Sequence, residues 1–301
     1  MKLLGAYKNG NYNVVLFDDG TKIRKNNEDK FEADFPECMD IKITDFCDMG
    51  CKYCHEASSI KGKHGDILNE EFINTLRPFT ELAIGGGNPL SHPDLITFLK
   101  KLKEKKIIAN MTVNQMHFQL HQNAVNDLIE TENDLIKGLG ISLTNPTDEF
   151  IEQVKKYPNA VIHVIAGVVT LEQLRKLSDK GLKILILGYK EFRKGEQYYQ
   201  EYSESVNKNI EELKEALPML IEKFKVVSFD NLAIRQLAVK NIMSEEDWNE
   251  FYMGDDGQFT MYIDMVNRKF ARSSTSEKRY DLLSGIDEMF KIVKLEESEE
   301  K

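Results

Sequence analysis

The chain has 301 residues, 41% of them apolar, enough to bury a full core in one large domain with additions, which excludes a mainly disordered protein. Its net charge of −10 argues against general nucleic-acid binding, and part of that excess lies in the closing Glu-Glu-Ser-Glu-Glu-Lys, read as a solvated tail. Three of the four cysteines fall within eight residues, useless as a disulfide framework but suited to thiolates kept free for metal. With no membrane-length apolar run and no signal-peptide core in the opening residues, the expectation is a soluble, cytoplasmic protein with no membrane partner.

The first 34 residues read as a β-hairpin addition: Tyr12–Phe17 is rich in β-formers, Asp19-Gly20 turns, and Thr21–Arg24 returns. From Met39 the pattern becomes strand, turn, helix, beginning with Met39–Ile43, which runs straight into the cysteine loop. A helix carrying Phe72, Leu76 and Phe79 leads to the strand Leu82–Ile84, stopped by Gly85-Gly86-Gly87. Pro93 opens a helix with Leu95, Phe98, Leu99 and Leu102 on one face, before a strand over Ile107–Val113. Helices around Val125, Leu128 and Ile129, and around Phe150, Ile151 and Val154, precede strands Leu139–Leu143 and Val161–Ala166. Thr170 and Gln173 form a capping box for the helix of Leu171, Leu174 and Leu177, and the strand Leu182–Leu187 follows. Lys190–Gln200 reads as a charged loop, after which a long helix carries Val206, Ile210, Leu213 and Leu217 until Pro218 kinks or ends it. Then come a strand at Val226–Phe229, a helix with Ile234 and Leu237, and a hairpin of Phe259–Asp264 against Lys269–Ala271.

Six apolar strands, each followed by a helix, indicate a parallel sheet covered by helices, either open and doubly wound or curled into a barrel. In both, ligands gather at the carboxyl ends of the strands. The expected units are an N-terminal β addition over 1–34, a core over 35–222 and a C-terminal extension over 223–301 packed on that core.

The spacing Cys47-x3-Cys51-x2-Cys54 offers three thiolates and no fourth. Iron–sulfur cubanes are ordinarily held by four, so such a loop leaves one iron open to a substrate or cofactor. With the aromatic Tyr53 before the last cysteine and a strand leading into the loop, the chain resembles the radical S-adenosylmethionine (radical SAM) superfamily over about residues 38–190. The resemblance implies an α/β fold, a partial (β/α)6 TIM-like barrel, here with a small N-terminal β-hairpin and an α+β C-terminal extension. It also implies a [4Fe–4S] cluster on Cys47, Cys51 and Cys54, with SAM completing the coordination. Gly85-Gly86-Gly87-Asn88-Pro89 is similar to the segment whose backbone meets the SAM amino group, although the family usually has Glu where this chain has Asn88. Asn114 and Ser142 stand where family members place polar groups against the SAM carboxylate or ribose. Ile165 and Gly167 look like part of an adenine-side motif, with His163 and Thr170 replacing its Gly and Glu. The implied activity is reductive cleavage of SAM to a 5′-deoxyadenosyl radical, which takes hydrogen from a peptide, nucleotide or small metabolite, fed by an electron donor such as flavodoxin or ferredoxin.

Other residues carry competing readings. A Cys3His zinc site with His55 as fourth ligand would make the chain a non-catalytic zinc-binding interaction protein, but adjacent ligands strain a tetrahedral site. Tyr189 and Lys190, just after the sixth strand, are candidates for the substrate side, with core packing the alternative for Tyr189. His55-Glu56 either faces substrate or orients the cysteine loop. Cys38 reads as an incidental thiol, and no second cysteine cluster supports an auxiliary iron–sulfur domain.

Overall fold

The computed structural model describes residues 2–28, 30–129 and 133–299, leaving aside the side chains of 297–299. The chain opens with β1 (Leu3–Asn9), β2 (Tyr12–Phe17) and β3 (Lys22–Lys25), which form an antiparallel sheet of their own. Then follow β4 (Cys38–Thr44), α1 (Glu70–Thr75), β5 (Glu81–Gly86), α2 (Leu95–Glu104), β6 (Ile108–Asn114), α3 (Gln115–Leu120) and α4 (Gln122–Ile129). Next are β7 (Gly138–Ser142), α5 (Asp148–Val154), β8 (Ala160–Ile165), α6 (Leu171–Leu177), β9 (Lys183–Leu187) and α7 (Lys194–Leu220). The chain ends with β10 (Val226–Phe229), α8 (Asn231–Gln236), α9 (Glu245–Phe251), β11 (Thr260–Asp264), β12 (Lys269–Ala271), β13 (Tyr280–Asp281) and α10 (Ile286–Glu299).

The main sheet has the order β10-β9-β8-β7-β6-β5-β4-β11-β12-β13, parallel from β10 to β11 and antiparallel beyond. The expected six strands are therefore the middle of a longer parallel run. The C-terminal strands join it at both ends, β10 on β9 and β11 on β4. β10 and β13 are not paired with each other, so the sheet stays open.

The strands are not uniformly buried. β6, β8 and β9 alternate between fully buried and partly accessible positions. Met111, Val113, Ile162, Val164, Ile184 and Ile186 are buried in the hydrophobic core together with Leu99 and Leu102 of α2, Phe150 of α5 and Leu174 of α6. Their neighbours Thr112, Asn114, His163, Ile165, Leu185 and Leu187 face a cavity on the other side of the sheet. The helices start where short side chains cap them: Asn69, Thr147 and Asp230 each accept a backbone N–H, and Thr170 with Gln173 forms the expected capping box.

Several local expectations change. The N-terminal addition is three-stranded, because Leu3–Asn9 pairs with β2. Helix α1 stops at Thr75, and Phe79 lies beyond it at φ 67°. The charged loop after β9 is short, since α7 begins at Lys194; its non-helical residue is Tyr202, whereas Pro218 is carried inside the helix. Residues 296–299 of the acidic tail continue α10, while Glu300 and Lys301 lie outside the described residues.

The N-terminal sheet covers the amino ends of the barrel strands. Lys22 pairs with Glu81 at the start of β5, Arg24 stacks 3.8 Å over Phe259 just before β11, and the Asn159 amide donates to the Asp18 carbonyl just before β8. Glu37, just before β4, is fully buried and accepts from Tyr12 at 2.6 Å and from Arg24 at 2.8 and 3.0 Å, with Lys22 at 3.2 Å. Burial opposes the Glu37 charge, but Lys22 and Arg24 outweigh it and hold the carboxyl below its usual range.

Candidate active site

At the carboxyl ends of the strands lies a cavity of about 420 Å³, within the range of small-molecule sites. The thiols of Cys47, Cys51 and Cys54 are free and line one side of it. Gly85, Gly86 and Gly87 at the end of β5, Asn114 and Ser142 at the ends of β6 and β7, and Ile165 at the end of β8 line it as well. Tyr53, Tyr189 and Lys190 complete the residues that the sequence brought forward. Asn88 and Pro89 stand behind the wall, with the Asn88 amide oxygen buried and unpartnered. Residues far apart in the chain thus converge because each sits at the same end of a parallel strand.

The glycine segment is fastened to the cysteine loop. The Gly87 and Asn88 N–H groups donate to the carbonyls of Thr44 at 2.7 Å and Phe46 at 2.6 Å. A side chain at Gly87 would strike the Phe46 carbonyl, and Gly86 adopts φ +114°, which L residues rarely take. At Gly85, by contrast, an added Cβ would meet nothing within 4 Å, so this strand end presents bare backbone to the cavity. That is the space a ligand drawn close to the main chain requires. The Asn114 side-chain oxygen caps α3 by accepting from the Met116 N–H at 2.9 Å, leaving its amide nitrogen as the group available for a ligand.

The cysteine loop itself is braced from three sides. His117 of α3 meets Asp48 at 2.6 Å, Lys194 at the start of α7 donates to the Ser58 carbonyl at 2.9 Å, and Arg193 donates to the Glu56 carbonyl at 3.0 Å. Glu56 is a hub: Lys42 lies at 3.1 Å, Tyr262 donates at 3.0 Å, and His55 stands at 3.4 Å. Burial alone would neutralise this carboxyl, but hydrogen bonds and charges from His55 and Lys42 hold it far below the usual range. Lys42, only 2% exposed, also meets Asp45 at 2.6 Å and Asp264 at 3.3 Å. Burial works against its charge as well, and the surrounding carboxylates reverse that, so it stays an ammonium.

His55 stands 3.4 Å from Glu56 in the hub, and both residues also line the cavity, so the pair serves the loop and faces the cavity at once. Among the described residues no three His, Cys, Asp or Glu side chains converge at metal-binding distance, although all three thiols line the same cavity. Tyr189 is 2% exposed and its hydroxyl donates to the Gly195 carbonyl at 2.7 Å, so its polar end secures α7. Lys190 donates to Ser274 at 2.9 Å, which brings the C-terminal segment to the cavity rim. Sequence reasoning missed Asp40, Lys42, Thr112 and Tyr262 as lining residues. Period-two alternation along β4 and β6 was the available signal for the first three, whereas Tyr262 depended on β11 joining β4.

Comparison with curated proteins finds no match. Among solved structures, SuiB of Streptococcus suis bound to the precursor peptide SuiA superimposes with a TM-score of 0.56 at 15% identity, covering 83% of this chain and 63% of that one. SuiB bound to S-adenosylmethionine gives 0.53 at 17% identity, covering 83% and 62%. The chain thus spans a little under two thirds of SuiB, and at these identities the likeness is one of fold. No helix of the described residues is long and apolar enough to cross a membrane. The family model of the radical SAM superfamily matches residues 41–234, well over half of the chain, and the protein therefore belongs to that superfamily.

Proposed function

We propose that Cys47, Cys51 and Cys54 hold a [4Fe–4S] cluster and that SAM binds beside it along Gly85-Gly86-Gly87, with Asn114, Ser142 and Ile165 on its far side. The observation that carries this is the shared wall: free thiols and bare Gly85 backbone line one cavity, locked together by the hydrogen bonds from Gly87 and Asn88. When bound, cluster and SAM supply the electron transfer and the C5′–S cleavage that yield a 5′-deoxyadenosyl radical, which removes hydrogen from the substrate. The chain's own part is to orient and enclose. Gly85 permits close approach of the SAM amino group, the Asn114 amide nitrogen and the Ser142 hydroxyl offer hydrogen bonds, and Val168, Val169 and Leu187 give apolar walls. Tyr53, packed 5.8 Å from Tyr198, shapes the loop side, while Asn88 and Pro89 support the glycine segment from behind. Low-potential electrons come from a carrier of the flavodoxin or ferredoxin kind, and the setting is cytoplasmic.

Anaerobic reconstitution tests this reading. The outcome expected is about four irons and four sulfides per chain, with 5′-deoxyadenosine formed from SAM under strong reduction. Stoichiometric zinc without SAM cleavage would overturn it in favour of the interaction protein.

A further inference from the structure

Below the glycine segment the cavity has a charged floor. Asp40 on β4 lies in register with Ala83 on β5, two residues before Lys42 and Gly85, hence about 7 Å deeper along the strands. More than a third of its surface is accessible, yet it lies inside the sheet, because the space it faces is the cavity itself. No hydrogen bond or ion pair reaches its carboxylate among the described residues. Ala83 beside it has no donor, and Tyr262, its register partner on β11, spends its hydroxyl on Glu56.

The buried charges nearby are treated differently. Glu37 and Lys42 on either side of Asp40 are each met by several opposite charges. A carboxylate that faces an enclosed cavity without a partner is less well solvated than one in bulk water, and a counter-ion, a cationic ligand or protonation relieves it. Burial pushes the Asp40 carboxyl up, and the carboxylates of Asp256, Asp230 and Glu56 add to that; the opposing cation is Lys190. Lys190 also lines the cavity, and its ammonium spends one donor on Ser274, leaving two. Thr112 and His163 lie on other strands of the same cavity, and burial lowers the His163 pKa to about 4, so its ring is neutral.

We infer that the substrate is a small zwitterion, held by its ammonium group on Asp40 and by its anionic group on Lys190, in the part of the cavity beneath SAM. The inference rests on the proposed function only in placing SAM above it. The small size follows from a cavity of about 420 Å³ that must hold both molecules.

The test uses straight-chain ω-amino acids of increasing length as probes, titrated calorimetrically into the anaerobically reconstituted full chain in the presence of SAM. The same acids N-acetylated, and dicarboxylates of equal length, serve as matched controls. At least one ω-amino acid should bind, with its N-acetyl and dicarboxylate counterparts tenfold weaker or more. Asp40→Asn should weaken that probe about tenfold while leaving SAM affinity unchanged. Equal binding of the N-acetylated probe, no binding by any ω-amino acid, or an unaffected Asp40→Asn protein would each overturn the inference. The comparison of probes on the unmodified chain does not depend on the variant folding. SAM affinity and 5′-deoxyadenosine formation, measured on the same samples, report separately on the proposed function: amine-selective binding without SAM cleavage would support the floor site and sink the SAM reading.

Discussion

The amino end of the main sheet and the cavity on its face treat charge in opposite ways, and one stretch of chain shows both. At the amino end, Glu37 meets a tyrosine, an arginine and a lysine, all supplied by the N-terminal sheet. Three residues later, Asp40 faces open cavity, and among the described residues no hydrogen bond or ion pair reaches its carboxylate. The first arrangement ties the N-terminal sheet to the start of β4. The second leaves a binding demand unmet, which is a property of sites and not of scaffolds. On the proposed reading, the N-terminal addition braces the amino ends of the strands and the site lies at the other end.

The largest expected effect that separates the two regions is at the amino end. Glu37→Gln strands the Arg24 guanidinium in a buried setting, while Lys22 keeps Glu81, and should cost roughly 3–5 kcal/mol in denaturant unfolding, as does removal of one member of a buried pair. A loss below about 1 kcal/mol would show that the brace is incidental. Next comes Gly87→Ala, which drives a Cβ into the Phe46 carbonyl and should cost about 1–3 kcal/mol as an overpacked contact, with weakened SAM binding by calorimetry. Unchanged SAM affinity would separate the glycine segment from the site.

Asp40→Asn should move stability slightly the other way, and the effect should depend on pH. Because the folded carboxyl is raised, the unfolded chain ionises first as pH climbs past about 4, and the charge then costs the folded state stability. The variant should therefore match the unmodified chain below that pH and melt higher above it. A lower melting temperature at neutral pH would mean that Asp40 is paired after all. The smallest effect is at His163, whose ring should show no titration in NMR spectra from about pH 5.5 to 8. Below its ordinary pKa of about 6.5, protons favour the unfolded chain, so this ring costs stability only on acidification.

The rim of the site was legible in the sequence because it is written locally. Three cysteines in one loop, three glycines at a strand end, and Asn114 and Ser142 at the next two strand ends required only the strand–helix rhythm to be placed together. The floor was not legible for a physical reason. Asp40 and Lys42 alternate with Met39, Ile41 and Ile43, a pattern that fits an ordinary half-solvated strand as well as a cavity wall. Lys42 draws its partners from Asp45 as far as Asp264, and no local pattern announces a contact of the longer range. Likewise β10 and β11 read as parts of a separate extension, since nothing in Val226–Phe229 or Thr260–Asp264 says which strand each will join.

The central claim is that three particular thiols, and not the fourth, hold the iron on which SAM is cleaved. Iron content and 5′-deoxyadenosine formation, measured side by side on Cys51→Ala and Cys38→Ala, test it most directly. The first variant should lose SAM cleavage entirely and the second should keep both iron and activity near those of the unmodified chain. Equal loss in the two variants, or cleavage that survives without Cys51, would contradict it.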